Sequence, residues 1–128
     1  MKNTKKILAV AAAAVMAASC FTGCGKKKSE NIVIGGSGPL TGDAAQYGIA
    51  VKNATELAVK EVNDAGGING TNLELVFEDD EADSGDKAVN AYNALKDNGM
   101  QVMLGTVTTG SSLAVIEKTK SDKVFQLT

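Results

Sequence analysis

Apolar positions along residues 31–128 fall into two kinds of pattern that alternate with each other. Ile32, Val33 and Ile34 form a short apolar run that Gly35, Gly36, Ser37, Gly38 and Pro39 end abruptly. From about Ala45 to Ala65 the period changes to a helical one, carried by Tyr47, Ala50, Val51, Ala54, Leu57, Ala58, Val62 and Ala65. Gly66 and Gly67 close that helix in the place where a left-handed cap belongs. Residues 72–77 then alternate, with Leu73, Leu75 and Phe77 on one face, which predicts a strand nearer the sheet edge. A second helix is expected over Ser84–Asn98, with Ala88, Ala91, Tyr92 and Leu95 on one face and Gly99 as its cap. Met100–Leu104 is nearly all apolar, as a central parallel strand should be. A third helix near Ser112–Lys120 and a fourth strand over Val124–Leu127 complete the pattern.

The order is therefore β-α-β-α-β-α-β, an α/β fold with an open parallel sheet and helices on both faces. Right-handed crossovers, with the two most apolar strands in the centre, give the strand order 2-1-3-4. That order reverses between strands one and three, and open α/β sheets bind ligands outside the carboxyl ends of the strands at such a reversal. The crevice is predicted between the loops Ser37–Gln46 and Thr106–Ser111.

Composition narrows the chemistry. The chain has 128 residues, enough for one small domain, and no histidine, arginine or tryptophan. Histidine catalysis and histidine metal sites are thereby excluded within it. The lack of arginine and a net charge of −2 disfavour nucleic-acid binding. The N-terminus reads as a targeting segment: Lys2, Lys5 and Lys6 precede the 12 apolar residues Ile7–Ala18, too short to span a bilayer. Residues 1–23 are expected to be a signal peptide, 24–30 a flexible tether and 31–128 the domain. Cleavage before Cys24 leaves ten lysines against 15 acids, a net charge of −5, and no cysteine pair for a disulfide. Lys26, Lys27 and Lys28 read as a solvated tether that can also touch anionic headgroups.

Familiar nucleotide and metal motifs fail. From Gly36 and Gly38 the third glycine of a dinucleotide fingerprint would fall on Thr41, and no lysine lies between Lys28 and Lys52 to make a phosphate loop. The acidic run Glu78-Asp79-Asp80-Glu81-Ala82-Asp83 misses the calcium-loop template, with Ser84 or Ala82 at required positions, so it is expected to be a solvated loop and no metal is expected. Some of its acids suit the N-terminus of the next helix. Ser111 has no histidine to activate it. What Thr106–Ser111 does offer is free backbone N–H groups and hydroxyls at a helix start. That is a cap, an anion site, or both.

The segments "IGGSGPLTGDAAQYG", "AVKNATELAVKEVNDAGGINGTNLELVFEDDEAD" and "VMLGTVTTGSSLAV" resemble the branched-chain amino acid binding proteins of bacterial ABC importers. The resemblance covers residues 31–128 and is specific as a combination. It implies the Rossmann-like first lobe of a type I periplasmic binding protein, here incomplete. Phe21-Thr22-Gly23-Cys24 resembles a lipoprotein cleavage box, with Phe21 in place of the usual leucine and Cys24 as the lipidated residue; Ala17-Ala18-Ser19-Cys20 is a competing box. The resemblance implies that Thr109, with Thr108, Gly110 and Ser111 beside it, holds a ligand α-carboxylate, and that Tyr47 lines the side-chain pocket. Thr108 stands where some relatives have a disulfide cysteine. The group that holds the ligand's amino end is implied to come from a second lobe.

The expectation is an extracytoplasmic, lipid-anchored solute-binding protein that captures a small amino acid, branched-chain by first choice, for ABC permease subunits. No catalysis and no cofactor are expected. A sensor or receptor domain of the same fold is the alternative; an enzyme half of the Rossmann type fits worse, because the cofactor fingerprint fails.

Overall fold

A computed structural model describes residues 31–83 and 85–128. The signal peptide, the tether and Cys24 lie outside the described residues. Four strands, β1 (Ile32–Gly38), β2 (Leu73–Asp79), β3 (Val102–Gly105) and β4 (Phe125–Leu127), alternate with three helices, α1 (Ala45–Asp64), α2 (Asp86–Asp97) and α3 (Thr109–Asp122). All strand pairs are parallel and the order is β2-β1-β3-β4, as the apolar pattern predicts. Ile34 pairs with Leu75 on one side and Val102 on the other, so β1 sits in the middle of the sheet. The crossover to β2 runs one way along the sheet and the next two run the other way. A constant right hand therefore places α1 on one face and α2 with α3 on the opposite face.

One boundary differs in an informative way. The glycine run expected to stop the first strand is itself strand, through Gly38. Gly36, Ser37 and Gly38 pair with Phe77, Glu78 and Asp79 of β2, and Gly36 and Ser37 also pair with Leu104 and Gly105 of β3. Ladders on both sides hold the backbone extended despite its glycines. The missing side chains leave room that Met100 fills over Gly35 and Phe77 fills over Gly36.

The core lies between the sheet and the α2/α3 layer. Ala88, Tyr92, Leu95, Met100, Met103 and Val115 form it, with Val76, Ala114 and Val124 packed around. The Tyr92 hydroxyl reaches the rim and donates to Asp122 at 2.9 Å, and Asp122 also meets Lys96 at 2.8 Å. Burial first, and then the Asp122 carboxylate, push the Tyr92 phenol up to about 12.

Helix ends follow local chemistry. After α2, Gly99 at φ 82° lets its N–H reach Lys96 O and the Met100 N–H reach Leu95 O, the paired bonds that satisfy a helix's last carbonyls. The same pattern closes α1, through Gly66 to Asn63 O and Gly67 to Val62 O.

The α1 face departs from the expectation. Of the residues that carry the helical period, Val51 and Val62 are half-buried, whereas Tyr47, Ala50, Ala54, Leu57, Ala58 and Ala65 are exposed. The buried positions are Gly48 and Thr55. The helix is turned so that Gly48 meets the β1–α1 loop, where a Cβ would stand 1.9 Å from the Pro39 carbonyl oxygen. Farther along, Asn63 grips the start of β2: its Nδ2 donates to Leu73 O at 2.9 Å and its Oδ1 accepts from Leu73 N at 2.7 Å. Gly48, Thr55 and the half-buried Val51, Val59 and Val62 share the face of α1 that packs on the sheet, and the close approach of Gly48 and the hydrogen bonds of Asn63 add to it.

Candidate functional site

The carboxyl ends of β1, β2 and β3 bring three loops together. The β1–α1 loop starts at Pro39, the β2–α2 loop at Asp80 and the β3–α3 loop at Thr106. The head of α3 is the element with most to offer a ligand. Thr108 is its N-cap, in an extended conformation, and Thr109, Gly110 and Ser111 are its first turn rather than a loop before it. The first bond of the helix ladder runs from Ser112 N to Thr108 O, so the N–H groups of the preceding turn point out of the helix end, where its dipole favours an anion.

The predicted site residues take different places at this head. Thr109 is exposed and Gly110 is half-buried. The Thr108 hydroxyl donates to Ser111 Oγ at 3.0 Å. Ser111 is fully buried, and its hydroxyl donates to the Asp83 carbonyl at 2.8 Å. Its side chain therefore faces inward, and only its main chain is oriented toward the helix end. Tyr47, two residues into α1, is 61% exposed.

Residues outside the predicted ligand-binding set support α3. Thr106 is buried, and its hydroxyl meets Ser112 Oγ at 2.6 Å and Thr108 O at 3.2 Å. Gln126 of β4 donates from Nε2 to Gly105 O at 3.2 Å while its Oε1 accepts from Thr119. A glutamine in a three-residue strand carries no sequence signal for that task. Its role follows from its place opposite the end of β3.

The acidic loop corrects an expectation. It is not simply solvated: Asp80 is fully buried, with Oδ2 accepting from Ser37 Oγ at 2.8 Å and Oδ1 from Ala82 N at 2.9 Å. Asp79 accepts from Leu40 N at 2.8 Å, Thr41 Oγ1 at 2.6 Å and Glu81 N at 2.8 Å. Burial tends to raise the Asp79 carboxyl, but these hydrogen bonds, Thr41's foremost, outweigh it and hold it below the usual carboxylate value. Asp83 accepts from Lys87 N at 3.0 Å and so caps the start of α2. Among the described residues, no group of three or more acids or cysteines is arranged to hold a metal ion. None of their helices is long and apolar enough to cross a membrane.

Two open grooves flank the head. One, of about 480 Å³, lies between Val51 of α1 and the segment Leu104–Val107, with Leu127 and Thr128 at its edge. The other, of about 450 Å³, runs between α3 and β4 past Thr109, Leu113, Ile116 and Phe125. Tyr47 lines neither. The first groove sits beside the reversal of strand order, where the topology places a ligand.

Known proteins resemble this chain in sequence and in fold. A Leu/Ile/Val-binding protein homolog from Brucella melitensis is 38% identical over 98 residues, which are 77% of this chain and 26% of that protein. The branched-chain amino acid transporter substrate binding protein LivJ from Streptococcus pneumoniae, solved with isoleucine, superposes with a TM-score of 0.70 at 28% identity, over 76% of this chain and 28% of that one. A fatty acid ABC transporter substrate-binding protein from Thermomonospora curvata superposes with a TM-score of 0.64 at 33% identity, over 76% and 24%. The chain thus spans about a quarter of the length of the relatives it matches. The sheet order, the loops at its carboxyl edge and a match to the periplasmic binding protein family model over residues 31–128 agree: the chain belongs to the periplasmic binding protein family.

Proposed function

We propose that this chain supplies one wall of the binding site of an extracytoplasmic solute-binding protein serving an ABC importer. Its solute is a small amino acid, branched-chain by first choice. The observation that carries the reading is the head of α3: exposed Thr109 and first-turn N–H groups at the carboxyl edge of the sheet, beside the reversal of strand order. A helix N-terminus presents donors and a positive dipole end to a carboxylate. The solutes named for the relatives, isoleucine and fatty acid, have a carboxylate in common. Thr109 provides a hydroxyl, Gly110 and Ser111 provide N–H groups, and Thr108 closes the turn. Tyr47 lines the side-chain end once a second lobe closes over the ligand, and that lobe pairs the amino group. Closure presents a face to the permease. No step of this function needs a reacting group or a cofactor.

Residues 1–23 direct export, Cys24 carries a lipid and residues 24–30 tether the domain to the membrane. Two acyl chains anchor stably where one does not. Mass spectrometry of the mature N-terminus is expected to find a lipidated Cys24; an unmodified N-terminus, or lipid on Cys20, overturns the anchor.

The ligand reading is tested by calorimetric titration of the full-length protein with leucine, isoleucine and valine, and with isoamylamine, which is leucine without its carboxylate. Saturable binding of an amino acid and none of the amine is expected. Equal binding of leucine and the amine removes the carboxylate from the account.

A further inference from the structure

The end of β2 and the β2–α2 loop, at the edge of the sheet, are bonded to both loops assigned to the ligand. On one side Asp79 takes Leu40 N and the Thr41 hydroxyl, and Asp80 takes the Ser37 hydroxyl. These bonds reach across 38 to 43 positions of sequence, so they define tertiary position rather than a local turn. On the other side the Ser111 hydroxyl donates to the main-chain carbonyl of Asp83, 28 positions away. Between these attachments the loop turns back on itself through Glu81 and Ala82, at φ 51° and 58°, a conformation non-glycine residues adopt only where surrounding contacts impose it. Asp79 bonds the Glu81 N–H and Asp80 the Ala82 N–H, so the same two carboxylates impose the turn and carry the outward contacts.

We infer that Asp79 and Asp80 are positioning residues for the ligand site, and that the acidic loop is a brace that sets the distance between the β1–α1 loop and the head of α3. The inference rests on the proposed carboxylate site at that head. Neither aspartate touches the ligand; each acts through the loop it holds. The brace spans the α2/α3 side of the sheet edge, leaving the α1 side open as the groove between Val51 and Leu104–Val107. A preorganised loop binds more tightly because less ordering remains to be done on binding.

The test uses the full-length protein with Asp79→Asn as the principal variant, because Asp79 is only half-buried whereas Asp80 is fully buried. Asp80→Asn, in the buried position, is the second variant. Glu81→Gln, in the same loop but paired outward with Lys87, is the control. Two readouts are taken: leucine affinity by calorimetry, and amide hydrogen exchange over residues 39–44 and 106–112 without ligand. Asp79→Asn is expected to weaken leucine binding by about tenfold, the size of one lost hydrogen bond to a charged group. It is also expected to speed exchange in both segments. Combined with Thr41→Val it should add little, since both act through one bond. Glu81→Gln should change neither readout. Unchanged exchange in both segments overturns the brace, whatever the affinity does; faster exchange with wild-type affinity overturns its role in binding. If the wild-type protein binds none of the three amino acids, the proposed ligand falls and the exchange comparison alone decides the brace.

Discussion

The two faces of the sheet are built differently. On the α2/α3 side, Ala88, Tyr92, Leu95, Met103 and Val115 are at most 1% exposed and interlock as one apolar core. On the α1 side, the buried residues of the helix are a glycine and a threonine, and Tyr47, Ile49 and Leu57 face outward. The α2/α3 side rests on fully buried apolar side chains, whereas α1 adds close backbone approach and a side-chain amide gripping a strand to the half-burial of Val51, Val59 and Val62. The side with the closed core is also the side that holds the head of α3. The α2/α3 layer carries the core and the brace, while α1 leaves a groove open beside Leu104–Val107.

Substitutions that treat the faces alike in chemistry should therefore differ in effect. The largest loss is expected for Leu95→Ala, in the closed core, at about 2–5 kcal/mol by chemical denaturation, from lost burial plus a cavity. Asn63→Ala deprives both main-chain groups of Leu73 of their partner and should cost about 1–3 kcal/mol. If Asn63→Ala cost more than Leu95→Ala, the ranking of the two faces would be reversed. Tyr92→Phe keeps the ring and loses the bond to Asp122, for a smaller loss of about 1 kcal/mol. The raised phenol pKa adds a pH signature. Its contribution is fully present below the ordinary phenol value near 10 and is lost as pH rises toward the folded value of about 12. Tyr92→Phe should erase that alkaline step. Leu57→Ala, on the outward face of α1 at 58% exposure, should fall within about 0.5 kcal/mol of wild type. A large loss there would show that α1 is packed as tightly as α2.

The same contrast explains what could be read from the sequence. The faces of α2 were legible because Ala88, Ala91, Tyr92 and Leu95 stand out from charged neighbours, and all four are buried. The strand order was legible because crossover handedness leaves few choices once the apolar runs are found. The face of α1 was not legible. Its alanines, valines and leucine surround the helix, and its closest contact is made by Gly48, through a side chain that is absent. Hydropathy does not register a glycine chosen for proximity. Gly35–Gly38 misled for a related reason: glycine reads as a stop, yet pairing on both sides makes it strand. At the site, a helix start after the apolar strand was legible, but it was expected near Ser112, and the structure begins the helix at Thr109 with Thr108 as its N-cap. The inward turn of Ser111, the burial of Asp80 and the reach of Gln126 to Gly105 were not, because each depends on partners far away in sequence.

If the head of α3 receives a ligand carboxylate, Thr109, exposed there, supplies a hydroxyl to it. The most direct measurement is the leucine affinity of full-length protein carrying Thr109→Val, compared with wild type by calorimetric titration. Valine nearly preserves the shape and removes the donor. A carboxylate bound at this hydroxyl makes the expected loss about 1.5–3 kcal/mol, as for a hydrogen bond to a charged group, which is about 10- to 150-fold in affinity. Equal affinity for the two proteins would contradict it.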